Sequence, residues 1–230
     1  MDELLTYRDE ATGERVGLPA AQVGRWSAAT AALLTDECGL GPGAKVAVLL
    51  PPHWQTAVVL LGAWSAGCEV AFRGWSTAGL SPAGPAMDAS FVAHSRIGSW
   101  LDDVPSARFP FELLTPPGSA DASPGYRDFT TAVSAHLGAG APALTPGPDA
   151  AADPDGTTFG SYGAIAADMA RRRGITRGDR VLIDTRISEQ PLMWLLAPLA
   201  AGASVVLTDN LDPVRRASVI ASEKITRVLA

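Results

Sequence analysis

The chain contains one pattern twice, first as GLGPGAKVAVLLPPHWQTAVVLLGAWSAGCEVAF at residues 39–72 and again as GITRGDRVLIDTRISEQPLMWLLAPLAAGASVVL at residues 174–207. The copies align without a gap at an offset of 135 residues, so Gly43 aligns with Gly178 and Gly67 with Gly202. Each copy contains a glycine turn, a short apolar strand, an apolar helix that ends in Ala-Gly, and a second strand. This order predicts a βαβ unit in each half of the chain.

The rest of the sequence continues the alternation of helices and strands. It favours an α/β fold of two similar, mostly parallel βαβ subdomains packed together. We assign residues 1–137 to the first subdomain and residues 158–230 to the second. Residues 138–157 are rich in Pro, Gly and Ala and are predicted to form a linker. Predicted helices cover residues 18–36, 54–66, 126–137, 161–173 and 189–201, and predicted strands cover residues 45–50, 68–72, 89–94, 109–114, 180–184, 204–208 and 225–229.

The composition is that of a folded, acidic protein. Of the 230 residues, 47% are hydrophobic and 18% are charged, and the net charge is −6. This charge argues against nucleic acid or an anionic membrane as a partner. The apolar runs are too short to span a bilayer and the acidic start lacks a secretory leader, so we expect a cytoplasmic protein. Cys38 and Cys68 lack metal-ligand spacing, and no metal site is predicted.

The repeated pattern resembles that of AMP-binding enzymes, which include acyl-CoA synthetases, luciferases and the adenylation domains of peptide synthetases. The resemblance is carried by GITRGDRVLI, by the apolar helix that follows, and by AGASVVL. It implies the N-terminal domain of that superfamily, whose two similar α/β subdomains would explain the 135-residue offset. Within this group the chain is similar to short, stand-alone actinobacterial proteins that are distantly related to the enzymes.

The resemblance places the phosphate loop of the family at residues 155–163. That loop usually reads S/T-G-T/S-T-G-x-P-K-G, and its small residues and lysine hold the phosphates of ATP. Asp155 replaces the leading Ser, Phe159 the central Gly, and Tyr162 the Lys. A carboxylate gained and an ammonium lost both disfavour a phosphate. The residues that match the family are Gly156, Thr157, Thr158 and Gly163.

A second interpretation of residues 155–163 needs no ligand. These residues are also compatible with a turn that leads into the predicted helix at residues 161–173. Phe159 and Tyr162 would then pack inward, and the segment would correspond to a helix entry of the family instead of its phosphate loop.

Other motifs of the family have no counterpart. Its aromatic-His pair aligns with residues 185–189, TRISE, which contain no histidine. The sequence ends at Ala230, before the Y-G-x-T-E motif, the ribose-binding Asp, the hinge and the catalytic Lys of the family. Those groups supply the positioning and the electrostatics of adenylation. We therefore expect a degenerate, truncated protein that does not adenylate on its own and acts as a binding or interaction module.

The alternative is an enzyme, or an enzyme subunit, that still binds a nucleotide or acyl ligand in the cleft between the subdomains. ATP or AMP is the ligand considered, and no other cofactor and no catalytic residue is predicted. No G-x-S-x-G elbow supports a catalytic triad, and His53 is expected to cap or pack. The candidate ligand-binding residues are Gly156, Thr157, Thr158, Tyr162, Gly163, His94 and Trp75.

The resemblance also bears on partners. In the family, these subdomains pack against further domains, so a chain without those domains would expose apolar surface. We expect the chain to cover that surface by forming a homodimer with twofold symmetry. Trp75 and Trp100 lie near predicted loops and are candidates for a pocket or an interface.

Overall fold

A computed structural model describes residues 3–80, 82–116, 122–140 and 145–229. It contains two five-stranded sheets with alternating helices, which confirms the predicted α/β class. The strands are β1 (Glu3–Asp9), β2 (Arg15–Pro19), β3 (Lys45–Leu49), β4 (Glu69–Phe72), β5 (Met87–Ala93), β6 (Ala107–Leu113), β7 (Arg127–Asp128), β8 (Arg180–Asp184), β9 (Ser204–Asp209) and β10 (Arg227–Leu229).

The helices follow the predicted alternation. Two of them are extended by five-residue π-helical segments, Leu33–Glu37 after α1 and Leu192–Leu196 before α5. The predicted helix at residues 126–137 is shorter in the structure, and the one predicted from residue 189 begins only after Pro191. The α-helices are α1 (Ala20–Ala32), α2 (Trp54–Ser65), α3 (Phe129–Ser134), α4 (Phe159–Arg172), α5 (Ala197–Ala201) and α6 (Arg216–Ser222).

The first sheet belongs to a compact unit formed by Gly24–Pro51 and Val58–Phe159. Its strand order is β4-β3-β5-β6-β7, and all neighbouring strands are parallel. Three buried aromatic rings form part of its core. The ring centroid of Phe91 lies 5.1 Å from that of Phe111 and 5.7 Å from that of Phe129. These apolar contacts fix the strands whose carboxyl ends carry polar side chains.

The second sheet belongs to a unit formed by Met1–Val23, Pro52–Ala57 and Gly160–Ala230. Its strand order is β10-β8-β9-β1-β2. No strand is predicted from the sequence before residue 45. This prediction is wrong, because β1 and β2 form an antiparallel hairpin. Strand β1 pairs in parallel with β9, with Leu5 opposite Val205. Residues 3–19 therefore lie in the sheet of the second half, whereas the sequence assigns them to the first subdomain.

The last residues of the predicted linker are packed. Ala151 and Thr158 form an antiparallel bridge, and Ala152 between them is buried. The carbonyl oxygen of Ala152 accepts hydrogen bonds from the backbone N–H of Val70 and from Nε1 of Trp64, at 2.9 Å and 3.1 Å. Because Val70 lies in β4, an edge strand, residues 151–158 cover an otherwise unpaired edge. This part of the segment is therefore not a free linker.

The repeated glycines adopt the same backbone conformation in both units. Gly43 and Gly178 have φ angles of +84° and +83°, and Gly67 and Gly202 have φ angles of +80° and +74°. In each unit the first glycine donates its N–H to the carbonyl of the second, over 3.4 Å and 3.1 Å. Side chains with a Cβ avoid these φ values. The repeat seen in the sequence is thus a repeat of structure.

A further glycine allows two helices to touch. A Cβ added to Gly62 in α2 would lie 2.5 Å from Cβ of Thr30 and 2.7 Å from the backbone oxygen of Ser27, both in α1. Thr30 is buried, and its hydroxyl donates to the carbonyl of Trp26 at 2.9 Å. Neither neighbour is the flexible end of a long side chain, so the backbones must separate to admit a methyl group.

We predict that Gly62→Ala lowers the free energy of unfolding by about 1–3 kcal/mol. The physical reason is the overlap with Thr30 and Ser27. Gly24→Ala in α1 is the matched control, because nothing lies within 4 Å of its added Cβ. It should raise stability by about 0.5–1 kcal/mol. Urea denaturation followed by circular dichroism measures both, and equal effects of the two substitutions would contradict the close approach.

Candidate functional site

The turn at residues 153–157 uses its own backbone N–H groups. Oδ1 of Asp153 accepts from the N–H groups of Asp155 and Thr157, each at 3.0 Å. The carbonyl oxygen of Asp153 accepts from Gly156 at 3.1 Å, and that of Thr157 accepts from Ala152 at 2.7 Å. In an anion-binding loop such N–H groups point at the ligand. Here a carboxylate of the chain occupies that position.

Helix α4 begins directly after this turn. Its first residue, Phe159, donates its N–H to the carbonyl of Ala150 at 3.0 Å. Tyr162 is half-buried in the first turn of the helix, and Gly163, which follows it, is exposed. The interpretation of residues 155–163 as a turn leading into a helix is therefore confirmed. That Gly156, Thr157, Thr158, Tyr162 or Gly163 binds a ligand stays a prediction.

His94 lies at the carboxyl end of β5. Its Nδ1 is hydrogen-bonded to Oε1 of Glu112 in β6, and Oε2 of the same carboxylate accepts from the N–H of Ser123 at 2.5 Å. Glu112 is fully buried, which by itself raises the pKa of its carboxyl, but the bonds from His94 and Ser123 hold that pKa below its ordinary value. The ionised carboxylate fixes the imidazole, whose side chain is 40% exposed.

Trp75 follows β4, so it lies at the same edge of the first sheet as His94. The guanidinium carbon of Arg96 lies 5.5 Å from the centroid of the Trp75 ring. Arg96 itself is buried and forms an ion pair with Asp103. Oδ2 of Asp103 also accepts from the N–H of Gly79 at 3.2 Å, which ties the loops after β4 and β5 together.

Backbone strain occurs at the same edge. Leu114, two residues after Glu112, has a φ of +57°, and Asp102, beside the buried Asp103, has a φ of +45°. A bulky residue at positive φ is uncommon and is held there by its surroundings. The sequence indicates His94 and Trp75 as candidates but gives no signal for Glu112. It favours a solvated surface for the acidic pair Asp102-Asp103, and this is wrong for Asp103, which is buried and paired with Arg96.

His53 has a structural role in the second unit. Its Nδ1 accepts from the N–H of Gln55 at 3.2 Å and its carbonyl accepts from Ala57 at 3.0 Å, so it caps α2. Burial lowers the pKa of His53 to about 3, and the imidazole is neutral. Its ring centroid lies 4.2 Å from that of Tyr7, at an angle of 66°. The expectation that His53 caps and packs is confirmed.

A charge cluster in the second unit was not expected from the sequence. Glu223 is buried, and its carboxylate accepts from Arg8, Arg15 and Arg180 at 2.8–3.0 Å. Hydrogen bonds, first from Arg15 and then from Arg180 and Arg8, outweigh burial and lower the pKa of Glu223 to about 2. The three arginines come from β1, β2 and β8, so no spacing in the sequence could reveal that they meet.

Residues 185–189 align with the aromatic-His pair of AMP-binding enzymes. Thr185 follows β8 and is buried, and its hydroxyl donates to Oδ1 of Asp209 at 3.0 Å. Arg186 pairs with Asp184 at 3.3 Å. This end of β8 therefore carries a threonine bonded within the protein and an ion pair.

Residues 3–80, 82–116, 122–140 and 145–229 contain no group of three or more His, Cys, Asp or Glu side chains arranged to hold a metal ion. None of their helices is long and apolar enough to cross a membrane. Burial raises the pKa of the Cys68 thiol to about 12, so it stays protonated and unreactive.

We predict that Asp153→Ala lowers the free energy of unfolding by about 1–2 kcal/mol, because two N–H groups lose their acceptor. Asp149→Ala is the matched control, since Asp149 is exposed and four residues away. Thermal denaturation of both variants measures the difference. A loss no larger than that of the control would show that the turn does not depend on the Asp153 carboxylate.

The fold of this chain is similar to that of several solved proteins. No family model matches the chain. The structure is similar to the N-terminal domain of FACL13 from Mycobacterium tuberculosis over 99% of this chain, with a TM-score of 0.68 and 18% sequence identity. An acyl-CoA synthetase from Brucella canis matches 98% of the chain, with the same TM-score and identity. Acetoacetyl-CoA synthetase from Streptomyces lividans matches 97%, with a TM-score of 0.68 and 17% identity.

These similarities show that the chain has the α/β fold of the N-terminal domain of acyl-CoA synthetases, as the resemblance in the sequence implied. The chain spans 59%, 44% and 38% of those three solved chains. A protein of Mycobacterium tuberculosis described as a TIGR03089 family protein is 39% identical over 233 residues, which cover 98% of this chain and 90% of that protein. The chain belongs to the TIGR03089 family.

Proposed function

We propose that this protein is a binding module with the acyl-CoA synthetase fold and that it does not form adenylates. The observation that carries the proposal is the turn at residues 153–157. A phosphate at that position would have to displace the carboxylate of Asp153 from the N–H groups of Asp155 and Thr157. The chain itself therefore occupies the donors that a phosphate loop offers to ATP.

The charges of this segment support the same proposal. Asp153 and Asp155 place two carboxylates in the turn, and Tyr162 stands where the resemblance expects a lysine. Two like charges 4 Å apart repel by about 1 kcal/mol in water and by about 4 kcal/mol near a protein surface. Loss of the lysine also removes the attraction of similar size. Both differences weaken the binding of a nucleoside triphosphate at this turn.

The end of β8 gives independent support. In place of an aromatic-His pair, this chain has Thr185, bonded to Asp209, and Arg186, paired with Asp184. Hydrogen bonds within the protein satisfy these groups. The two positions where the family places its phosphate and acyl contacts are thus both closed by side chains of this protein.

The proposal predicts that adenine nucleotides are not bound specifically. Isothermal titration of the full chain with AMP should show no tighter binding than ribose 5-phosphate, which carries the same phosphate without the adenine. ATP with Mg²⁺ should bind no more tightly than tripolyphosphate with Mg²⁺, which carries comparable charge without the nucleoside. Preference for AMP over ribose 5-phosphate, preference for ATP over tripolyphosphate, or exchange of pyrophosphate into ATP in the presence of carboxylic acids would overturn the proposal.

A second candidate function is retained binding of an acyl or nucleotide ligand by an enzyme or enzyme subunit. The observation that favours it is His94, whose partly exposed ring is held by the buried Glu112 at the carboxyl edge of the first sheet. Ligands of open α/β sheets bind at that edge. The same titrations test this candidate when they are repeated with the variant Glu112→Gln. Nucleotide binding by the wild type that is weaker in the variant would favour it.

We also propose that the protein forms a homodimer through an apolar patch of the first unit. This patch consists of Trp75, Leu80 and Trp100, which are 45%, 77% and 89% exposed. A Cβ added to Gly79 would lie 3.2 Å from Leu101, so the segments that carry Leu80 and Trp100 are adjacent. Their side chains expose about 400 Å² of apolar surface. That is about half of the area that each partner buries in a standard interface.

A second copy is the occupant that this patch fits best, because an isologous contact places the two apolar patches against each other. We predict that Trp100→Ser combined with Leu80→Ser shifts the protein from dimer to monomer in light scattering at micromolar concentration. Val214→Ser is the matched control, because Val214 is 87% exposed but lies in the other unit. A monomeric wild type, or a dimer that survives the double substitution, would contradict the proposal.

A further inference from the structure

The second sheet has a cavity at the amino ends of its parallel strands. Its volume is about 590 Å³, and it is lined by residues where β1, β8 and β9 begin, among them Glu3, Arg180 and Ser204. Ligand sites of α/β folds usually lie at the opposite, carboxyl edge. No residue of the turn at residues 153–157 lines the cavity, and neither does His94. Its volume is in the range of small-molecule sites.

The side chains that line this cavity carry three positive and three negative charges, and arginines bonded to the acidic ones from outside the lining give the cluster a positive excess. On its wall, Glu223 and Glu3 pair with Arg15 and Arg180 at 2.7–3.2 Å. Arg8 adds a further positive charge through its ion pair with Glu223. The Glu10 carboxylate, which Arg8 also contacts, is balanced by its own ion pair with Arg215 at 2.9 Å. The cluster thus carries more positive than negative charge within a protein of net charge −6.

The remaining charges on the wall add to this excess. Asp179 is compensated by Arg227, with 3.3 Å between Oδ2 and Nε. Lys224 lines the cavity, is exposed, and forms no ion pair with any residue in the part of the chain that the structure describes. Its backbone has a φ of +54°, an uncommon value for a residue with a long side chain. The ammonium group of Lys224 is thus available to a ligand.

The first turn of α1 also contributes a weak positive potential to the cavity. Ala20, its first residue, also lines the cavity, and the first turn contains no acidic residue. The first N–H groups of a helix lack partners within the helix and carry partial positive charge. These groups reinforce the field that the arginine excess and Lys224 produce.

We propose that this cavity binds a small organic anion, with a phosphate or carboxylate group held between Lys224, Arg15 and the first turn of α1. Glu3 and Glu223 hold the guanidinium groups of Arg15 and Arg180 in place on the wall. The rest of the ligand would occupy the remaining volume beside Ser204 and Thr226, whose hydroxyl groups donate to Asp179 at 3.3 Å and 2.7 Å. This site is independent of the function proposed above, since it involves none of the residues on which that proposal rests.

Titration of the full chain at constant ionic strength tests the site. The probes are pyrophosphate, citrate and chloride, each added as the sodium salt and followed by calorimetry and by the amide chemical shifts of residues 20–22 and 224. We expect saturable binding of pyrophosphate or citrate, with shifts confined to the cavity, and no response to chloride. Binding of pyrophosphate alone indicates that the site prefers a phosphate group, and binding of citrate alone indicates that it prefers a carboxylate.

Two substitutions separate binding from folding. Ala20→Asp places a carboxylate on the cavity wall, where the helix dipole favours it, so the fold is retained while an anion is repelled. Lys224→Gln removes the unpaired ammonium. Each should weaken binding at least about tenfold, the effect of losing one charge contact of about 1.4 kcal/mol. Lys45→Gln is the matched control, because Lys45 is exposed and lies in the other unit.

The inference is overturned by either of two results. One is the absence of saturable binding for both pyrophosphate and citrate. The other is equal affinity for the anion in all three variants, Ala20→Asp, Lys224→Gln and the control Lys45→Gln. Loss of binding in Ala20→Asp counts for the site only if its melting temperature is not lowered, which the same samples report. Since these anions lack adenosine, neither result depends on whether the protein binds nucleotides.

Discussion

The fold depends on glycines that adopt left-handed backbone conformations at equivalent points of its two βαβ units. Gly43 with Gly67, and Gly178 with Gly202, each close the loop before a strand onto the end of the following helix. A Cβ at these positions would oppose the required φ. The hydrogen bonds from Glu69 to Ala44 and from Ser204 to Asp179, both 2.8 Å, then start the second strand beside the first. The strand edges that carry polar side chains are set by these turns.

On this scaffold, polar groups of the turn at residues 153–157 and of the end of β8 are hydrogen-bonded to other groups of the same chain. Asp153 bonds the N–H groups of its own turn, and Thr185 bonds Asp209. Each of these hydrogen bonds stabilises the turn or strand end that contains it, because it satisfies a polar group that would otherwise lack a partner. Similarity of fold alone does not imply the activity of the enzyme, because function depends on the groups of a site.

The sequence predicted those elements whose signal is local. The two apolar repeats, the helix entry at Phe159 and the capping role of His53 depend on neighbouring residues, and the structure agrees with them. The β1–β2 hairpin was missed because its partner strand β9 lies in the other half of the chain. Glu112 and Glu223 were missed for a similar reason. A buried carboxylate is recognisable only from the histidine or arginines that approach it from distant elements.

The pairing of β1 with β9 has a consequence for the order of folding. All strands of the first sheet lie between Lys45 and Asp128, so all of them are synthesised before β8, the first strand of the second βαβ unit. Leu5, in contrast, must find Val205, and about 200 residues separate them. Strand β1 can pair with β2 at once, but its other edge stays open until β9 has been synthesised. An open strand edge can pair with other chains, so this edge favours aggregation until the second sheet is complete.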